Sequence, residues 1–430
     1  MIPKQAIIEI LEENKEIDNY VKTTIPRDIL SQITNYIKAP YVIIISGVRR
    51  SGKSTIMMQM FSKIKVENKF YINFEDERLE GIKANDLEQI YSTLIETTGK
   101  TSKTYLFLDE IQEVLGWEKW VRRKYDSKTD IKIIISGSNS SLLSSEFSTL
   151  LTGRNITFRI FPFSFKELLS FRGININNIA RIYYSPKKPI VRSIYVKYLE
   201  NGGFPEVQDL TESSRMKILQ QYFTDILYKD VVKRYNIKDA RRIERVAHYL
   251  ITNIGNYFSY YKARNVFQMG IETIGEYISY LVDCYLIFQV PYFTYTLKER
   301  ETRPRKTYAI DTGLRNAVSF RFSKDIGRCA ENVLYIHLIS QGNEVFYWKN
   351  KQECDFIVFR NDKVVNAINI CMDMNNDKIK KREIGGLLEA MKNFKIHKGI
   401  IITDDHLDTE KHDGMTVEFV PLWLYLLKDG

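Results

Sequence analysis

The chain has 430 residues, 44% of them hydrophobic and 27% charged, which excludes a fibre or a disordered tail and calls for more than one hydrophobic core. Its 63 basic residues against 53 acidic ones leave a net charge of +10, a balance that favours an anionic partner such as nucleic acid. Cys284, Cys329, Cys354 and Cys371 make no CxxC pair and the five histidines make no HxxxH arrangement, so neither a disulfide framework nor a zinc site is indicated.

Residues 1–40 read as helices with apolar spacing at Ile7, Ile8, Ile10 and Leu11, a break at Pro26, and a second helix toward Tyr36. From Tyr41 short apolar strands alternate with longer helical segments, with strands predicted at 41–46, 69–74, 104–109, 131–136 and 156–161. That alternation is the pattern of an α/β domain, a parallel sheet with helices on both faces. A helix-rich stretch runs from about 164 to 285, interrupted by a turn at Gly202-Gly203-Phe204-Pro205, and strands return near Ile287. The last hundred residues mix strands (345–349, 353–359, 364–371, 398–403) with helices (about 327–341 and 378–393). Met1-Ile2-Pro3-Lys4-Gln5 lacks the apolar core of a signal peptide. The most apolar stretch, Tyr280–Phe293, contains Asp283, Gln289 and Pro291, so a cytoplasmic protein without a membrane span is expected.

Between the first predicted strand and the helix after it lies Gly47-Val48-Arg49-Arg50-Ser51-Gly52-Lys53-Ser54-Thr55, a complete phosphate-binding loop. Gly47 and Gly52 let the backbone curl so that amide groups face a polyphosphate, and the dipole of the following helix adds positive potential. Lys53 brings a point charge to the β- and γ-phosphates, and the Ser54 hydroxyl suits one coordination position of Mg²⁺. The strand Tyr105–Leu108 ends in Asp109-Glu110. Asp109 is expected to hold the Mg²⁺ shell and Glu110 to orient or deprotonate the attacking water. The next strand runs into Ser136-Gly137-Ser138-Asn139-Ser140, where Ser138 or Asn139 is placed either to sense the γ-phosphate or to cap the following segment. Arg154, in Leu151-Thr152-Gly153-Arg154, fits either a surface salt bridge or an arginine finger reaching a neighbouring subunit's phosphate.

Together with Phe161-Pro162-Phe163-Ser164-Phe165-Lys166-Glu167-Leu168, Gly202-Gly203-Phe204-Pro205-Glu206 and Tyr308-Ala309-Ile310-Asp311-Thr312-Gly313-Leu314-Arg315, these motifs make the chain resemble the prokaryotic AAA+ P-loop ATPases whose C-terminal region is a domain of unknown function with a restriction-endonuclease-like core. The resemblance spans nearly the whole chain. It implies an AAA+ fold, ATP and Mg²⁺ as ligands, Ser138 or Asn139 as a sensor, Arg154 as an arginine finger, and homo-oligomers.

Residues 242–254, 259–267 and 271–284 read as three helices before a strand at Ile287–Pro291, a basic turn from Lys298 to Lys306 and a return strand at Thr307–Ile310. This is the order of a winged helix, in which Arg300, Arg303, Arg305 and Lys306 would meet DNA phosphates. Against a DNA role, the third helix carries Glu272, Glu276 and Asp283, so a lid or protein-contact module fits as well. In the last module Glu331 and Asp355 match the helix and strand acids of a two-metal nuclease and Glu353 shares a face with Asp355 by strand alternation, whereas Asn369 and Cys371 stand where a third ligand and a lysine belong. A degenerate nuclease fold is therefore expected, unless a lysine such as Lys378 or Lys380 has migrated into the site.

The organisation expected is an AAA+ domain with N-terminal helices at 1–165, a helical lid or linker at 166–240, a winged-helix-like domain at 241–318 and a nuclease-like α/β domain at 319–430. The function expected is an ATPase that passes conformational change to its C-terminal region. A slow nucleotide-gated switch and an ATP-regulated metal-dependent nuclease are the alternatives.

Overall fold

The computed structural model describes residues 2–98, 103–127, 130–138, 153–176, 179–319 and 325–428. The chain divides into two compact units, Met1–Phe161 and Pro162–Gly430.

The first unit is built on five strands, β1 (Val42–Gly47), β2 (Lys69–Asn73), β3 (Thr104–Asp109), β4 (Ile131–Gly137) and β5 (Asn155–Ile160), in the order β2-β3-β4-β1-β5. Every pairing is parallel. Side chains alternate across a strand, so β1 feeds two cores. Val42 and Ile44 pack with α1 (Lys4–Glu13), α5 (Ala84–Thr98) and α6 (Trp117–Asp126). Ile43 and Ile45 pack with α2 (Ile17–Lys22), α3 (Leu30–Thr34) and α4 (Lys53–Lys63). This is the expected parallel sheet covered on both faces, and each predicted strand lies within a residue or so of an observed one. Parallel strands end together, which gathers the loops after β1, β3 and β4 at one edge.

The second unit opens with α7 (Phe165–Phe171), started by a capping box in which Ser164 and Glu167 satisfy each other's backbone N–H. After α8 (Lys188–Asn201) comes the Gly202-Gly203 turn. Gly202 has φ +70°, and a Cβ on it would run into the Asp311 carboxylate, while one on Gly203 would meet the Phe163 carbonyl oxygen. The chain continues through α9 (Glu212–Asp225) into π-helical turns at Ile226–Lys233.

Next come α10 (Ala240–Thr252), β6 (Tyr257–Phe258), α11 (Tyr260–Phe267), α12 (Ile271–Asp283), β7 (Ile287–Val290), α13 (Leu297–Thr302) and β8 (Arg305–Ala309). The strands form an antiparallel sheet, β6-β8-β7. The three expected helices are present, with two corrections. β6 has two residues, too few for an alternating pattern to show. The expected basic turn contains helix α13, and Glu299 and Glu301 on it pair with Arg303 and Arg305 just past its end.

The chain then forms α14 (Thr312–Val318), α15 (Ile326–Ser340), β9 (Glu344–Lys349), β10 (Glu353–Arg360), β11 (Lys363–Cys371), α16 (Asp377–Phe394), β12 (Lys398–Thr403), β13 (Asp408–His412) and β14 (Met415–Pro421). Their mixed sheet runs β13-β14-β12-β11-β10-β9. The sequence reading missed β13 and β14; β13 is an edge strand of Asp-Thr-Glu-Lys-His with no apolar alternation to reveal it. Among the described residues no helix is long and apolar enough to cross a membrane.

Candidate nucleotide site

The loop after β1 is held in a curled shape by its glycines and by a buried arginine. Gly47 has φ +152°, and a Cβ there would collide with the Ile160 carbonyl oxygen of β5. Gly52 has φ +97° and places Lys53 at the first turn of α4. Within the loop, the Ser51 N–H donates to the Val48 carbonyl at 3.2 Å, and Arg50 adopts φ +68°. Arg27 donates one guanidinium N–H to the Ser51 carbonyl at 2.9 Å and another to the Phe161 carbonyl at 2.7 Å, fixing the loop's outer side. Arg49 reaches away to Glu75 at 2.6 Å. The Thr55 hydroxyl lies 3.4 Å from the Tyr20 hydroxyl.

The two acids at the end of β3 face this loop. Lys53 is 3% exposed, and its Nζ lies 3.2 Å from Glu110 Oε1 and 3.4 Å from the Val48 carbonyl oxygen. Glu110 has φ +51°, accepts from Gln112 Nε2 at 2.5 Å, and donates its own backbone N–H to Ser136 Oγ at 3.0 Å. Asp109 is fully buried, with Oδ2 accepting from Tyr71 OH at 2.5 Å and Oδ1 accepting from Ser136 Oγ. Ser54 also hydrogen-bonds to Asp109, so the expected metal pair stands together.

Burial and the neighbouring Glu110 charge push the Asp109 carboxyl up, against the hydroxyls of Ser136, Tyr71 and Ser54. Burial works in the same direction on Glu110, but the Lys53 ammonium and the Gln112 amide outweigh it and hold that carboxyl low. Glu110 is thus an ionised acceptor beside an ammonium, while Asp109 is a buried carboxyl relieved by hydroxyl donors.

The residues present fit a magnesium-bound triphosphate. Ser51 Oγ is buried with no hydrogen-bond partner among the described residues, an orphaned polar atom within the loop. Ser54 and Asp109 offer hard oxygen donors of the kind Mg²⁺ takes. Among the described residues no group of three or more His, Cys, Asp or Glu is set to hold a metal.

Ser138 is buried at the end of β4, beside the ends of β1 and β3. Asn139 lies outside the described residues. Arg154 is at the opposite edge of the sheet, where its carbonyl accepts from Val42 N at the start of β1. Its guanidinium pairs with Asp126 at 2.6 Å, so it stands apart from its own chain's loop. The sequence reading missed Arg27, Tyr71 and Ser136. Ser136 sat in the quoted motif but one residue pair upstream of the expected sensors, and its signal was its place at the end of an apolar strand beside the acids.

The basic wing residues all have partners within the protein. Arg303 and Arg305 pair with Glu299 at 2.9 Å and Glu301 at 2.6 Å, and Arg300 donates to the Thr294 carbonyl while lying over the Phe346 ring. Lys306 is 3% exposed, with Nζ 3.0 Å from Glu331, 2.7 Å from Glu353 and 3.1 Å from Asp355. Strand alternation turns it inward from the hairpin. Asn369 is buried and bridges Asp355 N, the Glu353 carbonyl and Glu383; burial pushes the Cys371 thiol up to about 11. Lys380 pairs with Glu410 instead of entering this cluster.

Residues 39–169 match a family described as an AAA domain, and residues 192–325 match a domain of unknown function, DUF8612. The chain is similar to an uncharacterized protein of Methanocaldococcus jannaschii, MJ1544, at 35% identity over 99% of this chain and 96% of that protein. It is also similar to an uncharacterized protein of Haemophilus influenzae, at 30% identity over 92% of this chain and 97% of that one. Among solved structures, the Aeropyrum pernix ORC1 protein in complex with DNA aligns with a TM-score of 0.31 and 13% identity, over 71% of this chain and 95% of that chain. With a parallel sheet whose P-loop and Asp-Glu pair converge at one edge, and with MJ1544 alike along almost its full length, the chain belongs to the AAA+ P-loop family in which an AAA domain precedes a region of unknown function.

Proposed function

We propose that the protein binds Mg-ATP at the Gly47–Thr55 loop and hydrolyses it, coupling the cycle to conformational change in the Pro162–Gly430 unit. The observation that carries this reading is the convergence of Lys53, Ser54, Asp109 and Glu110 at one sheet edge, with Lys53 Nζ 3.2 Å from Glu110. Lys53 and the loop amides would hold the phosphate tail, and Ser54 with Asp109 would hold Mg²⁺, which supplies neutralisation of charge on the transferred phosphoryl group. Glu110 accepts hydrogen bonds in its ionised form, as a residue that orients and deprotonates water must. Ser138 and Asn139 are the sensor candidates. Arg154, facing away from its own loop, would act on a neighbouring copy's phosphate in a homo-oligomer.

The experiment is nucleotide titration by calorimetry together with steady-state turnover. Lys53→Ala should abolish ATP binding, whereas Glu110→Gln should keep binding and stop hydrolysis. Absence of binding heat from the parent protein, or turnover of Glu110→Gln at the parent rate, overturns the reading.

The Lys53–Glu110 ion pair favours one variant of this function, a slow nucleotide-gated switch. With its carboxylate tied to Lys53, Glu110 becomes available to water only when phosphate draws the ammonium away. Very slow basal turnover that rises with assembly or with DNA supports the motor form, and turnover that stays slow supports the switch.

A further inference from the structure

The carboxylates of Glu331 on α15 and of Glu353 and Asp355 on β10 converge on the Lys306 ammonium, delivered by β8 of the preceding hairpin. We infer that Lys306 is the resident cation of this three-carboxylate site, taking the place a divalent metal would need and fastening the hairpin to the α/β sheet. With the ammonium in place, the three carboxylates are committed to Lys306 and not to a divalent ion.

Three observations support the assignment. One oxygen from each acid lies 2.7–3.1 Å from Nζ, the range of charge-assisted hydrogen bonds and three bonds for three N–H donors. Two of the acids have further partners: Glu331 Oε1 also accepts from Tyr308 OH at 2.5 Å, and Asp355 Oδ2 accepts from Ile370 N at 3.1 Å. Burial opposes the charge on Lys306, yet the surrounding carboxylates outweigh it and hold the ammonium well above its usual range, so it stays charged at any working pH. A Mg²⁺ ion would require these oxygens at about 2.0–2.1 Å, inside the volume the ammonium fills. The two positions where a nuclease would add a ligand and a lysine are committed elsewhere, Asn369 to backbone bridging and Cys371 to a buried thiol whose Sγ lies 3.6 Å from the Asp373 carbonyl.

A buried ion pair of this kind is costly to break because removal of one partner strands the others. Removing the ammonium while keeping the stem should therefore leave three carboxylates in search of a cation. The inference stands apart from the ATP reading and is tested without nucleotide.

The test is Mn²⁺ binding to the full-length, nucleotide-free chain, followed by electron paramagnetic resonance, in the parent, Lys306→Met and Glu353→Gln. The parent and Glu353→Gln should bind Mn²⁺ equally weakly, and Lys306→Met should bind it on the order of tenfold tighter or more. Parent Mn²⁺ binding that Glu353→Gln removes overturns the inference, as does a folded Lys306→Met with no gain in affinity. Should Lys306→Met not fold, the comparison of the parent with Glu353→Gln still decides.

Discussion

The Asp311 carboxylate accepts a hydrogen bond from the Gly203 N–H at 2.6 Å, joining two motifs 108 residues apart. Leu314 N donates to the same side chain at 2.8 Å, making Asp311 both the N-cap of α14 and the anchor of the Gly-Gly turn. A Cβ on Gly313 would strike the Asn201 carbonyl oxygen, so glycines on both sides allow the close approach. The second unit is stapled at this point.

Burial pushes the Asp311 carboxyl up to about 6, against the N–H groups that favour its charge. The folded state then binds a proton that the unfolded chain, titrating near about 3.9, releases earlier. The stabilising contribution is complete below the unfolded value and is lost as pH rises through about 6. The unfolding free energy of the parent from urea titration, relative to Asp311→Asn, should fall between those values by on the order of 2–3 kcal/mol and level off above. A constant difference across that window would show that Asp311 does not titrate there.

Arg27 holds two backbone carbonyls, Ser51 and Phe161, that its removal would leave without it. Arg27→Met should cost about 2–4 kcal/mol in the stability of the first unit and weaken ATP binding through a loosened loop. Denaturant unfolding and calorimetry check the two effects.

Tyr71→Phe removes one donor to Asp109 and leaves Ser136 in place. We expect the Mg²⁺ dependence of turnover to move to higher concentration while turnover at saturating Mg²⁺ changes little. Unchanged Mg²⁺ dependence would mean that Ser136 and Ser54 position the carboxylate without Tyr71.

Arg154 and Asp126 form an exposed pair, worth about 0.2–1 kcal/mol. Arg154→Ala should therefore leave melting and ATP binding almost unaltered but lower turnover by roughly 10³-fold or more if it serves a neighbour's phosphate. Mixing Arg154→Ala with Lys53→Ala should restore part of the rate, since each chain supplies what the other lacks. Turnover of Arg154→Ala at the parent rate would return the residue to the role of a surface salt bridge.

The reach of sequence reading follows the range of the forces involved. Alternating apolar strands, the Gly47–Ser54 loop and the Asp109-Glu110 end of β3 are written in consecutive residues, because backbone periodicity, positive φ and strand ends are local properties. The reading erred at Lys306, whose deciding partners Glu331, Glu353 and Asp355 are remote along the chain and took it inward. Residues 139–152, Asn139 among them, lie outside the described residues.

The amino-acid order thus determined the AAA+ sheet, the phosphate loop and the acids that face it. Only the tertiary structure decided that Tyr71 and Ser136 hold Asp109, that Arg27 props the loop, and that a hairpin lysine fills the acidic cluster. Hydrogen bonds and ion pairs act over about 3 Å in space with no regard for separation along the chain, so their partners become known only once the chain has folded.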